Sequence, residues 1–213
     1  MKSRYGCSLL LALALLSGCR SVYYSAWEKL GVCKRDLLKK RVVAARDDEK
    51  AAGEQFKDSL TRIKEMYNFR GGDLEETYNT LNSDYERALG RASTVHKRVK
   101  DVETVAEDLF AEWEKEIGEI SSTKLRSDSQ DKLRETRNLY EDLHAALTQA
   151  EKSMEPVLLR FHDQMLYLKH NLNAAAVASL KGEATSIQSE VSRLLEDMNA
   201  AIARADAFVK TLP

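Results

Sequence analysis

The sequence has few of the residues that cross-link or interrupt a chain. It contains three cysteines, two prolines and nine glycines among 213 residues, and aromatic residues make up 7%. So few cysteines exclude a disulfide-rich scaffold, and so little proline and glycine argues against a loop-rich or low-complexity chain. Strand-like alternation is nearly absent as well. What remains, with 31% charged residues, is a composition typical of long helices.

The charges and the motifs exclude several classes of function. Lys and Arg number 33 against 34 Asp and Glu, a formal net charge of −1, which gives no basis for a nucleic-acid partner. The chain has no glycine-rich phosphate loop and no Gly-x-Ser-x-Gly elbow. Metal-ligand spacing is missing around its four histidines, which are expected to lie on the surface or between helices. We therefore expect no cofactor, no metal site and no enzymatic activity.

The first 19 residues predict an export signal that ends in a lipidated cysteine. Lys2 and Arg4 precede an uncharged run over residues 7–16, far shorter than the roughly 20 residues needed to span a bilayer. The following Ser17-Gly18-Cys19 resembles the lipobox of bacterial lipoproteins, in which a peptidase cuts before the cysteine and the cysteine then carries the acyl chains. The alternative is an ordinary secretory signal that ends in a cysteine by chance.

These features divide the chain into three parts. We expect residues 1–18 to be removed as a signal peptide, residues 19–24 to form the lipid anchor and a short tether, and residues 25–213 to form one helical bundle domain. Cys33 is then the single thiol, which cannot close a disulfide within the chain. We interpret Cys33 as a small helix residue. A disulfide-linked dimer or another homo-oligomer stays open at this point.

Helical spacing predicts four segments, over residues 25–69, 74–120, 127–171 and 174–212, with Gly182 as an alternative start of the last. Gly71-Gly72 ends the first segment, and Asp73 is placed to cap the second. Pro156 predicts a kink or a restart inside the third. Short connections fold neighbouring helices back on one another. The predicted fold class is all-α: an elongated antiparallel bundle of three to four long helices, coiled-coil-like.

The second segment has two apolar rows at heptad spacing. Thirteen of the fourteen positions are apolar, counting tyrosine, which predicts a coiled-coil-like seam. The alanines in these rows leave room for a neighbouring helix to approach closely. The rows are Leu74, Leu81, Ala88, Val95, Val102, Leu109 and Glu116, and Tyr78, Tyr85, Ala92, Val99, Ala106, Trp113 and Ile120.

Several strings along the chain are distinctive when taken together. They are Tyr23-Tyr24-Ser25-Ala26-Trp27, Gly71-Gly72-Asp73-Leu74, Met154-Glu155-Pro156-Val157-Leu158, Leu168-Lys169-His170-Asn171 and Ala203-Arg204-Ala205-Asp206-Ala207-Phe208. With these strings the chain resembles a bacterial family catalogued as domain of unknown function 2959. The likeness covers about residues 22–212, and it implies exported or lipid-anchored proteins of Gram-negative bacteria. It supplies no catalytic residues.

The residues at the end of the tether and just after it suit a membrane interface. Tyr23, Tyr24 and Trp27 combine an apolar body with a polar edge, and Lys34 and Arg35 add positive charge near the anionic headgroups. We expect them to contact the membrane. The alternative is a solvated helix face with an aromatic cap on the bundle.

Lys169 and His170 lie at a predicted helix end with polar neighbours. A local cap is one interpretation, and contact with a partner protein is the other.

The sequence thus predicts a non-enzymatic, lipid-anchored protein of the bacterial envelope that acts as a scaffold, adaptor or spacer for an unknown envelope protein. Arg20 follows the cysteine, and by resemblance to enterobacterial lipoproteins the lack of aspartate there points to the periplasmic face of the outer membrane. The alternative is a lipid- or small-ligand-binding bundle in transport between membranes or in the response to envelope stress. Ala88, Ala92 and Ala106 favour close packing, hence the first.

Overall fold

A computed structural model describes residues 33–68 and 73–212, and this part of the chain is all-α, without a strand. No helix within it is long and apolar enough to cross a membrane. The described helices are α1 (Lys34–Tyr67), α2 (Leu74–Glu119), α3 (Thr123–His170), α4 (Ala174–Lys181) and α5 (Ala184–Thr211).

The helices pack into a bundle in which α1 and α3 each contact both α2 and α5. Arg62 Nε lies 2.7 Å from Asp84 Oδ2 and Lys34 Nζ lies 3.0 Å from Glu112 Oε1, so α1 and α2 run in opposite directions. Likewise, Lys39 Nζ at the start of α1 donates to the Leu212 carbonyl after α5 (3.0 Å). The beginning of α1 and the end of α5 therefore lie at the same end of the bundle.

The core is filled by the apolar rows that the sequence predicts. In α2, seven of the predicted positions are buried, while Tyr85, Ala92 and Trp113 are half-buried against the core and Glu116 is exposed. Val105 and Phe110 are buried as well, because a helix of 3.6 residues per turn drifts relative to a strict heptad. The largest fully buried side chains come from α1, α3 and α5 and include Phe56, Phe161, Phe208, Leu38, Leu147 and Leu194.

The predicted cap of α2 is confirmed, and the predicted start of α3 is wrong. Asp73 Oδ1 accepts hydrogen bonds from the backbone N–H groups of Glu75 (2.8 Å) and Glu76 (3.1 Å). α3 begins at Thr123 rather than at 127, because Ser122 serves as its N-cap and accepts from the Leu125 N–H (3.4 Å). The polar residues that resemble a break are the first turn of the helix itself.

Pro156 lies inside α3 without ending it, so the predicted restart is wrong. The proline is exposed, whereas Met154 and Val157 beside it are buried in the core. Burial of these apolar neighbours stabilises the helix through the position where the proline removes a backbone donor.

The last predicted segment is two helices rather than one. α4 is capped by Asn173, whose Oδ1 accepts from the Ala176 N–H (3.0 Å). α4 ends at Lys181, and α5 begins at Ala184. At the break, the Gly182 N–H donates to the Ser179 carbonyl (3.1 Å), a tightened helix end. Both predicted starts, residue 174 and Gly182, thus mark a helix boundary.

A continuous first helix from residue 25 is also wrong at Cys33. Its backbone is extended (φ −76°, ψ 159°), and α1 begins directly after it. Cys33 is therefore the N-cap residue of α1 rather than a residue within a helix, and its thiol is exposed. Residues 1–32 and the predicted Gly71-Gly72 turn lie outside the described residues.

Candidate functional site

A groove of about 830 Å³ opens between α2 and α3 near the middle of the bundle. The residues that line each wall recur at helical spacing, as expected where two amphipathic helices pack side by side. Residues of the α2 wall include Tyr85, Leu89, Ala92, Ser93 and His96, and residues of the α3 wall include Glu151, Met154, Leu158, Leu159 and His162.

Two large apolar side chains line the groove while facing solvent. Leu89 is 46% exposed and Leu159 is 59% exposed, although most long apolar side chains of the bundle are buried. Single exposed leucines are ordinary on a protein surface, but this pair lies on opposite walls of one groove and makes its lining largely apolar.

Polar contacts join the two walls. Nδ1 of His96 lies 2.6 Å from Oε1 of Glu151, which ties α2 to α3. The rings of Tyr85 and His162 lie 5.8 Å apart, tilted by 47°. The groove thus offers apolar contact area with imidazole, carboxylate and phenol groups at its margins. The predicted interhelical role of the histidines fits these two contacts.

A buried carboxylic acid lies within electrostatic range of the groove wall. Glu49 of α1 has 0% exposure, and neither of its carboxyl oxygens has a hydrogen-bond partner among the described residues. Burial raises the pKa of Glu49 to about 8, and repulsion by the negative charge of Glu151 adds to this increase. The protonated, neutral form of Glu49 is therefore favoured up to a higher pH than for an ordinary glutamate.

Lys34 and Arg35, predicted to contact a membrane, are engaged with α2. Lys34 pairs with Glu112, and its side chain is only 15% exposed. The Arg35 guanidinium lies over the Trp113 ring, 5.5 Å from its centroid, a cation–π contact. Both residues thus contribute to packing between α1 and α2. Cys19, Tyr23, Tyr24 and Trp27 lie outside the described residues.

Lys169 and His170, predicted to cap a helix or to contact a partner, are both exposed in the last turn of α3. Asn171, which belongs to the same predicted cluster, caps the helix end: its N–H donates to the Leu168 carbonyl (3.1 Å) and its Nδ2 donates to the Tyr167 carbonyl (3.0 Å). Lys169 and His170 lie at the opposite end of the bundle from Lys34. The helix α1, which runs between the two ends, is about 50 Å long. The structure does not bring the two predicted contact regions together.

Sequence reasoning missed the groove and Glu49. A signal for Glu49 was present, because it occupies a core position between Ala45 and Ala52 in an otherwise apolar stripe. The predicted alanine seam is right for Ala88 and Ala106, which are fully buried. Ala92 lies on the groove wall instead. Within the described residues, no cluster of three or more His, Cys, Asp or Glu has the arrangement of a metal site.

Comparison with known proteins gives a family for this chain. The model of a family described as protein of unknown function (DUF2959) matches residues 23–212. No curated protein matches the sequence. The chain belongs to the DUF2959 family, which confirms the resemblance found in its sequence.

Proposed function

We propose that this DUF2959 protein is a non-enzymatic, lipid-anchored protein of the cell envelope that acts as a scaffold, adaptor or spacer. The proposal for the anchor rests on Ser17-Gly18-Cys19 after a short apolar run. We place the protein at the periplasmic face of the outer membrane, because Arg20 rather than aspartate follows the cysteine.

We further propose that α1, α2, α3 and α5 form an elongated, antiparallel, coiled-coil-like bundle, with α4 as a short addition. The paired apolar rows of α2 support this arrangement. A helix of 46 residues is about 70 Å long, which suits a spacer.

The observation that carries the scaffold proposal is the closed interior of the bundle. Phe56, Phe161 and Phe208 are at most 1% exposed, and Ala88 and Ala106 are completely buried where helices meet. Large side chains packed in the described core favour a solid interior over a cargo chamber, and the long charged helix faces offer surface to another protein. A scaffold works through such faces.

Crosslinking in living cells tests the scaffold role. A photoreactive amino acid at exposed positions along the groove (Leu89, Leu159) and at the far end (Lys169, His170) is expected to capture one reproducible envelope protein. Lys57 and Glu86, on the exposed charged faces, are tested in the same way, and the protein without the photoreactive residue is the control. Capture of nothing beyond the control at every position would contradict a scaffold.

The anchor has its own test. Labelled palmitate should enter the wild-type protein but not the Cys19→Ala variant, and only the wild type should sediment with outer-membrane fractions. Equal sedimentation of both proteins, with no label in either, would refute lipidation while leaving the scaffold proposal standing.

We also propose that Tyr23, Tyr24 and Trp27 contact lipid headgroups, with Lys34 and Arg35 adding positive charge nearby. The contacts of Lys34 and Arg35 with α2 reduce the charge they can offer. An unlipidated Cys19→Ala protein should bind anionic vesicles through its aromatic residues. Absence of binding at low salt would reject this contact.

The groove supports a second candidate function, in which the bundle binds a lipid or small apolar ligand for transport between membranes or during envelope stress. Its volume of about 830 Å³ and its exposed leucines suit an apolar ligand. A fluorescent fatty acid should then bind the wild type and bind a Leu89→Gln/Leu159→Gln variant more weakly. Equal binding by both proteins would exclude the groove as the site.

A further inference from the structure

Four polar side chains are buried in the described bundle: Glu49, Ser59, Asp84 and Gln164. Three of them have partners. Ser59 accepts from Gln55, Asp84 pairs with Arg62 and Arg87, and Gln164 bonds to the Tyr67 hydroxyl. Glu49 is the exception, since neither of its oxygens is hydrogen-bonded. Buried polar groups are normally hydrogen-bonded, so the unpaired carboxyl of Glu49 needs an explanation.

Within residues 33–68 and 73–212, Glu151 is the one charged group that acts on the Glu49 carboxyl, and no cation does. α3 contributes Glu151, a like charge, and His96 of α2 is bonded to Glu151. The charged side chains that flank this level are used elsewhere. Arg98 of α2 binds Asp48, and Asp206 of α5 binds Arg46. Glu49 therefore lies in an apolar layer whose one electrostatic neighbour repels its charged form.

Small side chains flank Glu49 along its own helix. Ala45 and Ala52 lie one turn away on α1, and Ala150 of α3 and Ala201 of α5 are completely buried. Small residues give little contact area to lose when helices move apart. Glu151, whose negative charge acts on Glu49, also lines the α2–α3 groove, which is open to solvent.

We propose that Glu49, together with Glu151 and His96, forms a proton-dependent latch that keeps the middle of the bundle closed while Glu49 carries a proton. When the carboxyl releases this proton to solvent, the carboxylate requires water, and α2 and α3 separate locally at the groove to admit it. The latch tightens in acid and loosens as the pH rises.

Linkage fixes the pH range of the latch. The pKa of Glu49 is about 8 in the closed bundle and near 4.5 once solvated. Opening therefore becomes easier between these two values and levels off above about pH 8, because both states are then ionised. The opening constant rises about tenfold for each pH unit within the range.

Hydrogen exchange of the purified chain at several pH values tests the latch. After correction for intrinsic exchange rates, amides over residues 45–56 and 147–158 should lose protection by roughly 100-fold between pH 5.5 and 7.5. The Glu49→Gln variant should show little change, and Glu54→Gln, an exposed carboxyl on the same helix, should behave as wild type. Equal loss of protection in wild type and Glu49→Gln would overturn the latch.

Two further measurements keep the proposal testable if Glu49→Gln does not fold. Carbon-13 titration of the wild-type glutamate carboxyls should show one group with a pKa near 8, and its absence would overturn the latch. The Glu151→Gln variant removes the repelling charge, so protection should level off at a lower pH than in wild type. An unchanged levelling point would refute the role of Glu151.

Discussion

The Tyr67 hydroxyl and the Gln164 amide form a buried hydrogen-bonded pair between α1 and α3. Oη of Tyr67 lies 3.0 Å from Oε1 of Gln164 and 2.7 Å from its Nε2, and neither residue is more than 7% exposed. Burial raises the pKa of the Tyr67 phenol, although the bond to Gln164 opposes that shift, so the phenol stays a neutral donor. The pair lies at the same end of the bundle as Lys169 and His170.

Removing one partner of this pair should cost more than removing both. Tyr67→Phe leaves the Gln164 amide buried without its partner, so we expect the free energy of unfolding to fall by about 1–3 kcal/mol. The double variant Tyr67→Phe/Gln164→Leu should recover part of this loss. Urea denaturation of the four proteins in a double-mutant cycle measures the coupling. Strictly additive losses would show that the two side chains do not depend on each other.

Glu49 should make the global stability depend on pH. Its folded-state pKa, about 8, exceeds the ordinary value of 4.5, so its contribution is fully present below pH 4.5 and is lost as the pH rises through 8. We expect the free energy of unfolding to fall by roughly 1.4 kcal/mol per pH unit in that window, and Glu49→Gln to abolish most of this slope. Denaturation at pH 5, 6, 7 and 8 gives the comparison, and parallel slopes in the two proteins would reject it.

Pro156 should lower the stability of α3 at its position in the helix. Pro156→Ala restores a backbone donor on an exposed turn of the helix, so we expect the free energy of unfolding to rise by about 1–3 kcal/mol. The change is smaller than the full helix-propensity difference because proline also restricts the unfolded chain. Glu155→Ala, at the exposed neighbouring position, is the matched control. A thermal shift no larger than that of the control would count against the prediction.

The N-cap of α2 should contribute more to the free energy of unfolding than the N-cap of α3. Asp73 accepts two short hydrogen bonds from the first turn of α2, whereas Ser122 accepts one at 3.4 Å. We expect Asp73→Ala to lower the free energy of unfolding by about 1 kcal/mol and Ser122→Ala to lower it less. The Asp73→Asn variant, which keeps the acceptor, should retain most of the stability. A larger loss for Ser122→Ala would reverse the ranking.

The sequence was sufficient for the helical class and for most of the core, because heptad rows and caps are local signals. The bounds of α2 and the role of Asp73 followed directly from them. The roles of Ser122 and Gly182 were harder to predict. A serine is equally compatible with a linker and with an N-cap. A glycine is compatible with the start of a helix and with its end. Only the packing of neighbouring helices decides between these alternatives.

The groove and the environment of Glu49 could not be predicted in the same way. Both depend on the rotation and spacing of α1, α2 and α3 relative to one another, which side-chain packing sets to within a few ångströms. Ala92 illustrates the point, because its heptad position is that of a seam residue although it lines the groove. A charged residue in an apolar stripe marks such a position in the sequence, but its partners come from distant segments.

The hydrogen bond from Lys39 to the Leu212 carbonyl has a practical consequence. It joins the first turns of α1 to the residue that follows α5. A label attached to Cys33 and one attached at Leu212 therefore lie at the same end of the bundle. A dye attached at position 170 lies at the other end, about 50 Å from Cys33. Energy transfer between Cys33 and each of these two sites therefore measures the distance between the two ends of the bundle.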